Sequence, residues 1–307
     1  MNTQPLVSVP VITYNSAEYI IDGLESIKAQ TYKNIELIIS DDCSTDNTVE
    51  ICRKWLDENK DRFVRTLLVT TEKNTGVAGN CNRAIRPCKG EWIKMLSGDD
   101  KFLPYTIEGY MEYVTDHPEV NICFAKLHFY GNDESYVKEV RQFYEKYFYP
   151  KIKAPWRKQY RENLKRLFLP GPGLFYRKSL WEKIDGFDEN YPFCEEDPFT
   201  FKVLASGERI YFIDKELYSY QIVPNSLCRQ GGTVIPRHIK DRIRYFREFR
   251  RATMNKEHLY LYSLDEGLVY KYLEAVEQNK IFMRYIYRCL ILFSPIRYLK
   301  KLHLLDY

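Results

Sequence analysis

Two neighbouring carboxylates, Asp99 and Asp100, are the residues of this 307-residue chain best suited to bind a metal ion. They follow the apolar run 91–96 after Ser97 and Gly98. Adjacent like charges at the end of a strand repel each other unless they share a cation. A divalent ion that bridges both carboxylates to a diphosphate would offset this repulsion. Mg²⁺ and Mn²⁺ suit the site because both prefer hard oxygen ligands. An Asp-Asp turn alone is a weak signal.

A second acidic cluster follows another apolar run, Ile35 to Ser40, and consists of Asp41, Asp42, Ser44 and Asp46. Ser44 or Asp46 could cap the next helix, because a side-chain oxygen at this position accepts from free helical N–H groups. We favour this structural role for Asp46. Asp42 is not needed for the cap, and a carboxylate at a strand tip can accept from a base N–H or a ribose hydroxyl. Asp42 is therefore a candidate ligand-binding residue.

The elements that position these clusters alternate between strands and helices. Strands are predicted at 6–13, 35–40, 66–70 and 91–96, and helices follow the first three of them. Asn15 or Ser16 is expected to cap the first helix. This alternation is typical of an α/β fold with a doubly wound, mostly parallel sheet, in which ligands bind beyond the carboxyl ends of the strands. The two acidic clusters should therefore lie on one rim of the sheet.

Composition and absent motifs exclude several classes of protein. The chain is 45% hydrophobic and 29% charged, which excludes disorder as its main state, and its net charge of +4 does not imply nucleic acid. It has no G-x-G-x-x-G after the first strand and no P-loop, which argues against dinucleotide oxidoreductases and P-loop enzymes. The eight cysteines contain no C-x-x-C pair and indicate reduced thiols.

Targeting signals are also missing. The N-terminus lacks a signal peptide, and no apolar run reaches the ~18 residues of a spanning helix. We therefore expect a cytoplasmic protein, either free or on the inner face of the cell membrane.

Several spaced motifs, in order, resemble the family 2 glycosyltransferases, which have the GT-A fold. They cover roughly residues 5–227. The motifs are VSVPVITYN, QTYKNIELIISDDCSTD, NTGVAGNCNRAI, GEWIKMLSGDD, PGPGLFYRKSLWEKIDGFDENY, EEDPFTFKVLASGERIYFI and YSYQIVPNS. The resemblance implies a GT-A type Rossmann-like sheet and an inverting, metal-dependent transferase of the hexosyltransferase type that uses a nucleotide sugar.

The resemblance also implies roles for residues of the first two loops. Thr13, Tyr14 and Asn15 would bind the donor, with the Tyr14 ring on the face of uracil. Asp42 would accept from N3–H of the base, which favours UDP over CDP or GDP. Thus the donor is expected to be a UDP-sugar.

In the metal region, Asp99 and Asp100 match the degenerate DXD motif, whose usual first Asp is Ser97 here. Asp99 would contact the donor and the metal, and Asp100 the metal. Many relatives carry a metal-binding His where this chain has Gln221, which is a poor cation ligand and a candidate for a supporting role only. The third metal ligand is left open.

On the acceptor side, Asp197 matches the general base of the family, and Glu196 is a candidate for a supporting role. An acidic first turn of a helix is the structural alternative. The base would deprotonate the acceptor hydroxyl while the metal stabilises the leaving diphosphate. Single displacement inverts the anomeric carbon. The sequence shows no motif for the nucleophile that a retaining route needs.

The PGPG turn at 170–173 serves either acceptor approach or packing.

We predict two domains, a transferase domain at 1–232 and a helical extension at 233–307 that is rich in aromatic and basic residues. The first carries a variable acceptor-side insertion at about 133–168, which is either a helical pair with a packed face or a membrane-facing segment. Residues 279–305 contain no Asp or Glu. They could lie in an anionic lipid interface or pack on the domain.

The predicted function is sugar transfer from a UDP-sugar to an acceptor hydroxyl, in the synthesis of bacterial cell-surface polysaccharide. The acceptor would be a saccharide or lipid-linked saccharide, with no nucleic acid partner. The alternatives are a metal-dependent nucleotidyltransferase, and a module without catalysis that binds anionic lipid or nucleic acid. Nucleotidyltransferases usually carry a Gly-rich phosphate loop near the N-terminus, and this chain shows none. A binding module would leave the acidic rim unexplained.

Overall fold

The computed structural model describes residues 4–165, 171–222 and 237–253, and single positions between 268 and 290. The chain divides into two compact units, Met1–Val223 and Pro224–Tyr307. In the second unit, the described residues include helix α10 (Arg237–Thr253). The predicted boundary at 232/233 and nearly all of 279–305 lie outside the described residues, so the domain division and the membrane contact stay predictions.

The first unit is built on an eight-stranded sheet with the order β3-β2-β1-β4-β7-β6-β8, in which β5 also pairs with β1. The strands are β1 (Val7–Thr13), β2 (Ile35–Asp41), β3 (Arg65–Thr70), β4 (Trp92–Ile93), β5 (Leu96–Ser97), β6 (Ile122–Gly131), β7 (Leu174–Arg177) and β8 (Tyr211–Ile222). Only β7 runs antiparallel to its neighbours, β4 and β6. The predicted α/β class with a mostly parallel sheet is confirmed.

Nine α-helices are described in this unit: α1 (Ile20–Lys28), α2 (Thr48–Asn59), α3 (Gly76–Ile85), α4 (Thr106–Asp116), α5 (Glu134–Phe143), α6 (Tyr149–Ile152), α7 (Trp156–Lys165), α8 (Lys178–Lys183) and α9 (Glu196–Ala205). The prediction that Asn15 or Ser16 caps α1 is wrong. The N-cap is Tyr19, without a side-chain bond, and Ser16 contributes its backbone carbonyl to the N–H of Ile20. None of the described helices is long and apolar enough to cross a membrane.

The central strands are buried because continuous aliphatic runs fit a sheet covered on both faces. Every residue of β2 is buried. Beside it, the core is aromatic: Phe175 of β7 stacks on Trp92 and on Tyr110 of α4, with ring centroids 4.9 Å apart in each pair. This aromatic stack packs α4 against the sheet.

The predicted insertion is helical where it is described. It comprises α5, a π-helical turn (Tyr144–Phe148), α6 and α7. Tyr144 and Tyr149 pack inward, whereas Phe143 and Tyr147 are exposed. The helical pair with a packed face is thus present, and an acceptor-facing or membrane-facing role for its exposed aromatic rings stays a prediction.

Candidate functional site

The loops after β1 and β2 are tied together by hydrogen bonds. The Thr13 hydroxyl donates to the Asp41 carboxylate over 2.9 Å. Asn15, in the left-handed region at φ 50°, donates its N–H to Ser44 Oγ (2.8 Å) and accepts from the Thr45 N–H (2.8 Å). Thr13 and Asn15 therefore have a structural role in holding the loops. Their predicted donor contacts stay predictions.

Between these two anchors, the Tyr14 side chain is 50% exposed. A large ring that the protein leaves half in water is available to stack on a planar ligand. This position fits the predicted contact with a nucleobase, which stays a prediction.

Asp46 lies at the start of α2, where its carboxylate accepts from the N–H and hydroxyl of Thr48. It also accepts from the N–H of Ala17 in the first loop. The N-cap of α2 is Asn47, without a side-chain bond, so the prediction that Ser44 or Asp46 occupies the cap position is wrong. Asp46 still has a structural role, because it accepts from the N–H of Thr48, the first residue of the helix.

The Asp42 carboxylate is buried and has several donors from the protein. It accepts from the N–H and hydroxyl of Thr75, from the N–H of Gly76, and from the Arg83 guanidinium at 2.8 Å. Since a carboxylate offers about four lone-pair sites, these donors fill it. A base N–H could bind Asp42 only by displacing one of them. The predicted contact with N3–H stays a prediction.

Asp99 and Asp100 occupy the turn after β5, and their surroundings differ. Asp100 is buried, and its oxygens accept from the Tyr218 hydroxyl and from the Gln221 backbone N–H, each over 2.9 Å. Asp99 is only partly buried. Among the described residues, Asp99 has no hydrogen-bond donor from another residue. Its carboxylate is therefore the one of the pair that is open to a ligand.

Burial raises the pKa of Asp99, and it raises the pKa of Asp100 well above the usual range, with a further contribution from the neighbouring Asp99 charge. A nearby cation would favour the ionised forms. Within the described ranges, no group of three or more His, Cys, Asp or Glu residues could hold a metal ion. The two carboxylates could hold a magnesium or manganese ion only if its remaining oxygen ligands came from phosphate and water. The metal site stays a prediction.

Gln221 lies beside this pair because Lys101 and Ser219 form an antiparallel bridge between the turn and β8. Its backbone N–H contacts Asp100, and its side-chain oxygen accepts from the Tyr130 hydroxyl over 3.3 Å. The structure thus brings Gln221 to Asp100 through the backbone. A supporting role for it in metal binding stays a prediction.

The acidic residues at the start of α9 form the third candidate group. Asp197 is buried, and its Oδ2 accepts from the Cys194 thiol at 3.3 Å. Glu196 accepts from the Gly171 N–H over 2.5 Å. Both residues lie in the acidic first turn of a helix, so the capping alternative has its expected location, and the catalytic assignment of Asp197 stays a prediction.

Helix α3 connects these groups. Its Gly76 N–H reaches Asp42, and the N–H of Ala78 donates to the Pro192 carbonyl in the loop that leads to α9. Gly76 has φ 78°, and a Cβ at this position would lie 2.5 Å from Pro192 Cβ. The close approach therefore needs glycine, and it sets the distance between the Asp42 loop and the α9 loop.

Sequence reasoning missed the partners of the candidate carboxylates. Arg83 pairs with Asp42, and Tyr218 pairs with Asp100. Lys94 is fully buried, and burial lowers the pKa of its amine to about 7. A lysine inside the apolar run W-I-K-M-L was the available signal, because a buried amine needs partners. Instead of the single predicted strand, the run forms two short strands, β4 and β5, which are separated by Lys94 and Met95.

Comparisons with known proteins identify the family and the fold. Residues 8–184 match the family model described as Glycosyl transferase family 2. The glycosyltransferase GlyG of Streptococcus pneumoniae is 30% identical over 229 residues, which cover 73% of each protein.

Two solved structures show the same fold. S. aureus TarS 1–349, in complex with UDP-GlcNAc, has a TM-score of 0.60 and 22% identity, over 86% of this chain and 73% of that one. The mannosyltransferase PcManGT from Pyrobaculum calidifontis, in complex with GDP-Man and Mn²⁺, has a TM-score of 0.56 and 18% identity, over 95% and 88%. The GT-A type fold expected from the sequence is thereby confirmed. The family match spans more than half of the chain, and the chain therefore belongs to the family 2 glycosyltransferases.

Proposed function

We propose that this glycosyltransferase uses a UDP-sugar and a divalent metal ion, and that it inverts the anomeric carbon. One observation carries the proposal: the open Asp99 carboxylate and the half-exposed Tyr14 ring follow the ends of neighbouring parallel strands. Ile12 of β1 is paired with Ser97 of β5, so Tyr14 lies two residues and Asp99 two residues beyond that pair. A base on Tyr14 and a diphosphate near Asp99 match the two ends of a nucleotide.

The residues divide the chemistry between them. Asp99 would hold the metal ion with help from Asp100, whose orientation Tyr218 and Gln221 fix. The ion, when bound, supplies positive charge next to the departing diphosphate. Asp197 removes the proton from the acceptor hydroxyl as it attacks.

The finer assignments rest on the family resemblance. The acceptor is a saccharide or lipid-linked saccharide, the setting is bacterial cell-surface polysaccharide, and the site of action is the cytoplasmic face of the membrane. The basic segment 279–305 would lie in the lipid interface there. Sedimentation with anionic and neutral vesicles tests this contact, and equal binding to both would contradict it.

A binding screen tests the donor class. We expect UDP with Mn²⁺ to raise the melting temperature of the full chain more than GDP or CDP, because binding to the native state stabilises it. EDTA should remove most of the effect. A larger shift with GDP, or an EDTA-resistant shift with UDP, would contradict the proposal.

Two matched variants make the screen specific. Tyr14→Ala should lose the stabilisation by UDP, since base stacking on an aromatic ring contributes about 1–3 kcal/mol. Tyr147→Ala, which removes another half-exposed ring from the insertion, should keep it. Equal stabilisation of both variants would show that Tyr14 does not bind the base.

A further inference from the structure

The glycine-rich turn at 171–174 packs closely against the core. A Cβ on Gly173 would lie 2.5 Å from the Phe124 ring, and one on Gly171 would lie 3.2 Å from Glu196 Oε1. Close backbone approach on two sides is a reason for glycine at both positions. Gly171 thus lies against α9 and Gly173 against β6.

Side chains hold the backbone of this turn at four points. The Gly171 N–H donates to Glu196 (2.5 Å), and the Tyr110 hydroxyl donates to the Gly173 carbonyl (2.7 Å). The Lys94 amine donates to the carbonyls of Pro172 (2.5 Å) and Leu174 (3.1 Å). Tyr110 and Lys94 are fully buried, so no water competes for these bonds.

The same lysine reaches toward the other acidic group. Its Nζ lies 4.3 Å from the centroid of the Tyr218 ring, and the hydroxyl of Tyr218 donates to Asp100. A continuous set of contacts therefore runs from Asp100 through Tyr218 and Lys94 to the turn. From the turn it continues through Glu196 to its neighbour Asp197.

We propose that the 171–174 turn fixes the acceptor-side carboxylate relative to the metal-side carboxylate, with Lys94 and Tyr110 as positioning residues. The inference rests on the proposed function of Asp100 and Asp197. Neither positioning residue touches the substrate; both act through the turn. A displacement of about 1 Å at a reacting group can lower turnover about 10²-fold, so such a link matters for catalysis.

Packing alone does not account for the amine of Lys94. A methionine is unbranched and apolar, and it would fill a similar space without the cost of burying a polar group. The amine adds two hydrogen bonds to the turn and a contact with the Tyr218 ring. These contacts define where the turn lies, which is the property that a positioning role requires.

The test uses Tyr110→Phe, which deletes one hydroxyl and keeps the ring stacked on Phe175. Tyr113→Phe is the matched control, because Tyr113 lies on the same helix and its hydroxyl makes no hydrogen bond within the described residues. Lys94→Met is the second variant. Three quantities are measured on the full chain: hydrogen exchange of the Gly171 amide, UDP affinity with Mn²⁺, and kcat for sugar transfer.

We expect faster exchange of the Gly171 amide in Tyr110→Phe and Lys94→Met, and wild-type exchange in Tyr113→Phe. Loss of one buried hydrogen bond should lower kcat about five- to tenfold in Tyr110→Phe, with UDP affinity within about twofold of wild type. Lys94→Met should lower kcat further. A general loss of stability would instead lower UDP affinity and kcat together.

Unchanged exchange in both variants would overturn the inference, and so would wild-type kcat in Tyr110→Phe. Parallel losses of UDP affinity, melting temperature and kcat would also overturn it, because they indicate a merely structural role. The exchange measurement needs no substrate. It therefore tests the link separately from the proposed sugar transfer.

Discussion

At the scale of single residues, Asp99 and Asp100 show how two adjacent carboxylates acquire different roles. Burial against Tyr218 and Gln221 fixes Asp100, whereas Asp99 stays open to a ligand. The sequence predicts a metal site for both and leaves the division of labour between them open, because their different surroundings depend on β8, more than 110 residues later in the chain. The motifs thus predict the pair as a unit, and only long-range packing distinguishes its members.

Asp99→Asn tests this division. Removal of the open charge should lower metal-dependent transfer about 10²-fold or more, because electrostatic stabilisation of the leaving group is a large part of catalysis. The loss should be partly relieved at higher Mn²⁺ concentration, which a titration of initial rate against Mn²⁺ measures. Asp22→Asn, an exposed carboxylate paired with Lys101 near the same turn, is the control and should be close to wild type. Equal Mn²⁺ dependence of Asp99→Asn and wild type would contradict the assignment.

Asp197→Asn tests the general base. We expect a folded protein with near-normal UDP affinity and transfer lowered ~10²–10⁴-fold, since the base acts on the acceptor proton only in the transition state. Calorimetric titration with UDP and single-turnover rates measure the two effects separately. Near-normal transfer would refute the assignment and direct attention to Glu195 or Glu196. Joint loss of stability and UDP binding would favour the helix-capping alternative.

At the scale of elements, the sequence predicted the strands well where apolar runs are continuous. The run at 35–40 corresponds to β2, and the run at 66–70 to β3. It failed where a polar group enters the core, as at Lys94, and where a turn replaces a side-chain cap, as at Ser16. Periodicity is a local rule, whereas the Lys94 amine is satisfied by the distant carbonyls of Pro172 and Leu174. At Ser16 the cause is local, because its hydroxyl donates to the Tyr14 carbonyl and its backbone carbonyl accepts from the Ile20 N–H.

The start of α3 provides a prediction at this scale. Gly76→Ala should destabilise the protein by about 2 kcal/mol or more, because a positive φ and a Cβ clash with Pro192 add together. It should also weaken UDP binding, since Gly76 contacts Asp42 through its N–H. Gly207→Ala is the control: its φ is 88°, but nothing lies within 4 Å of the added Cβ.

Urea denaturation of the two variants separates strain from clash. Gly207→Ala should show the conformational cost alone, about 1 kcal/mol. Equal destabilisation of the two variants would show that the contact between α3 and the Pro192 loop does not constrain the site.

At the scale of the whole molecule, different features determine the family and the choice of sugar. The family follows from the matched residues 8–184, whereas the choice of sugar depends on a few contacts that neither motifs nor fold determine. The stereochemical outcome does not depend on those contacts. It depends on the number of displacements at the anomeric carbon. A single displacement with Asp197 as base gives inversion for any sugar and any acceptor, including water.

The anomeric configuration of the first product is therefore the most direct test of the central claim. The full chain would be incubated with Mn²⁺ and the α-linked UDP-sugar selected by the binding screen, with water as the acceptor. Proton NMR at early times would record the anomer of the released sugar before it mutarotates. We expect the β-anomer to be released first, and we expect EDTA to prevent its release. Initial release of the α-anomer, or an unchanged rate in EDTA, would contradict it.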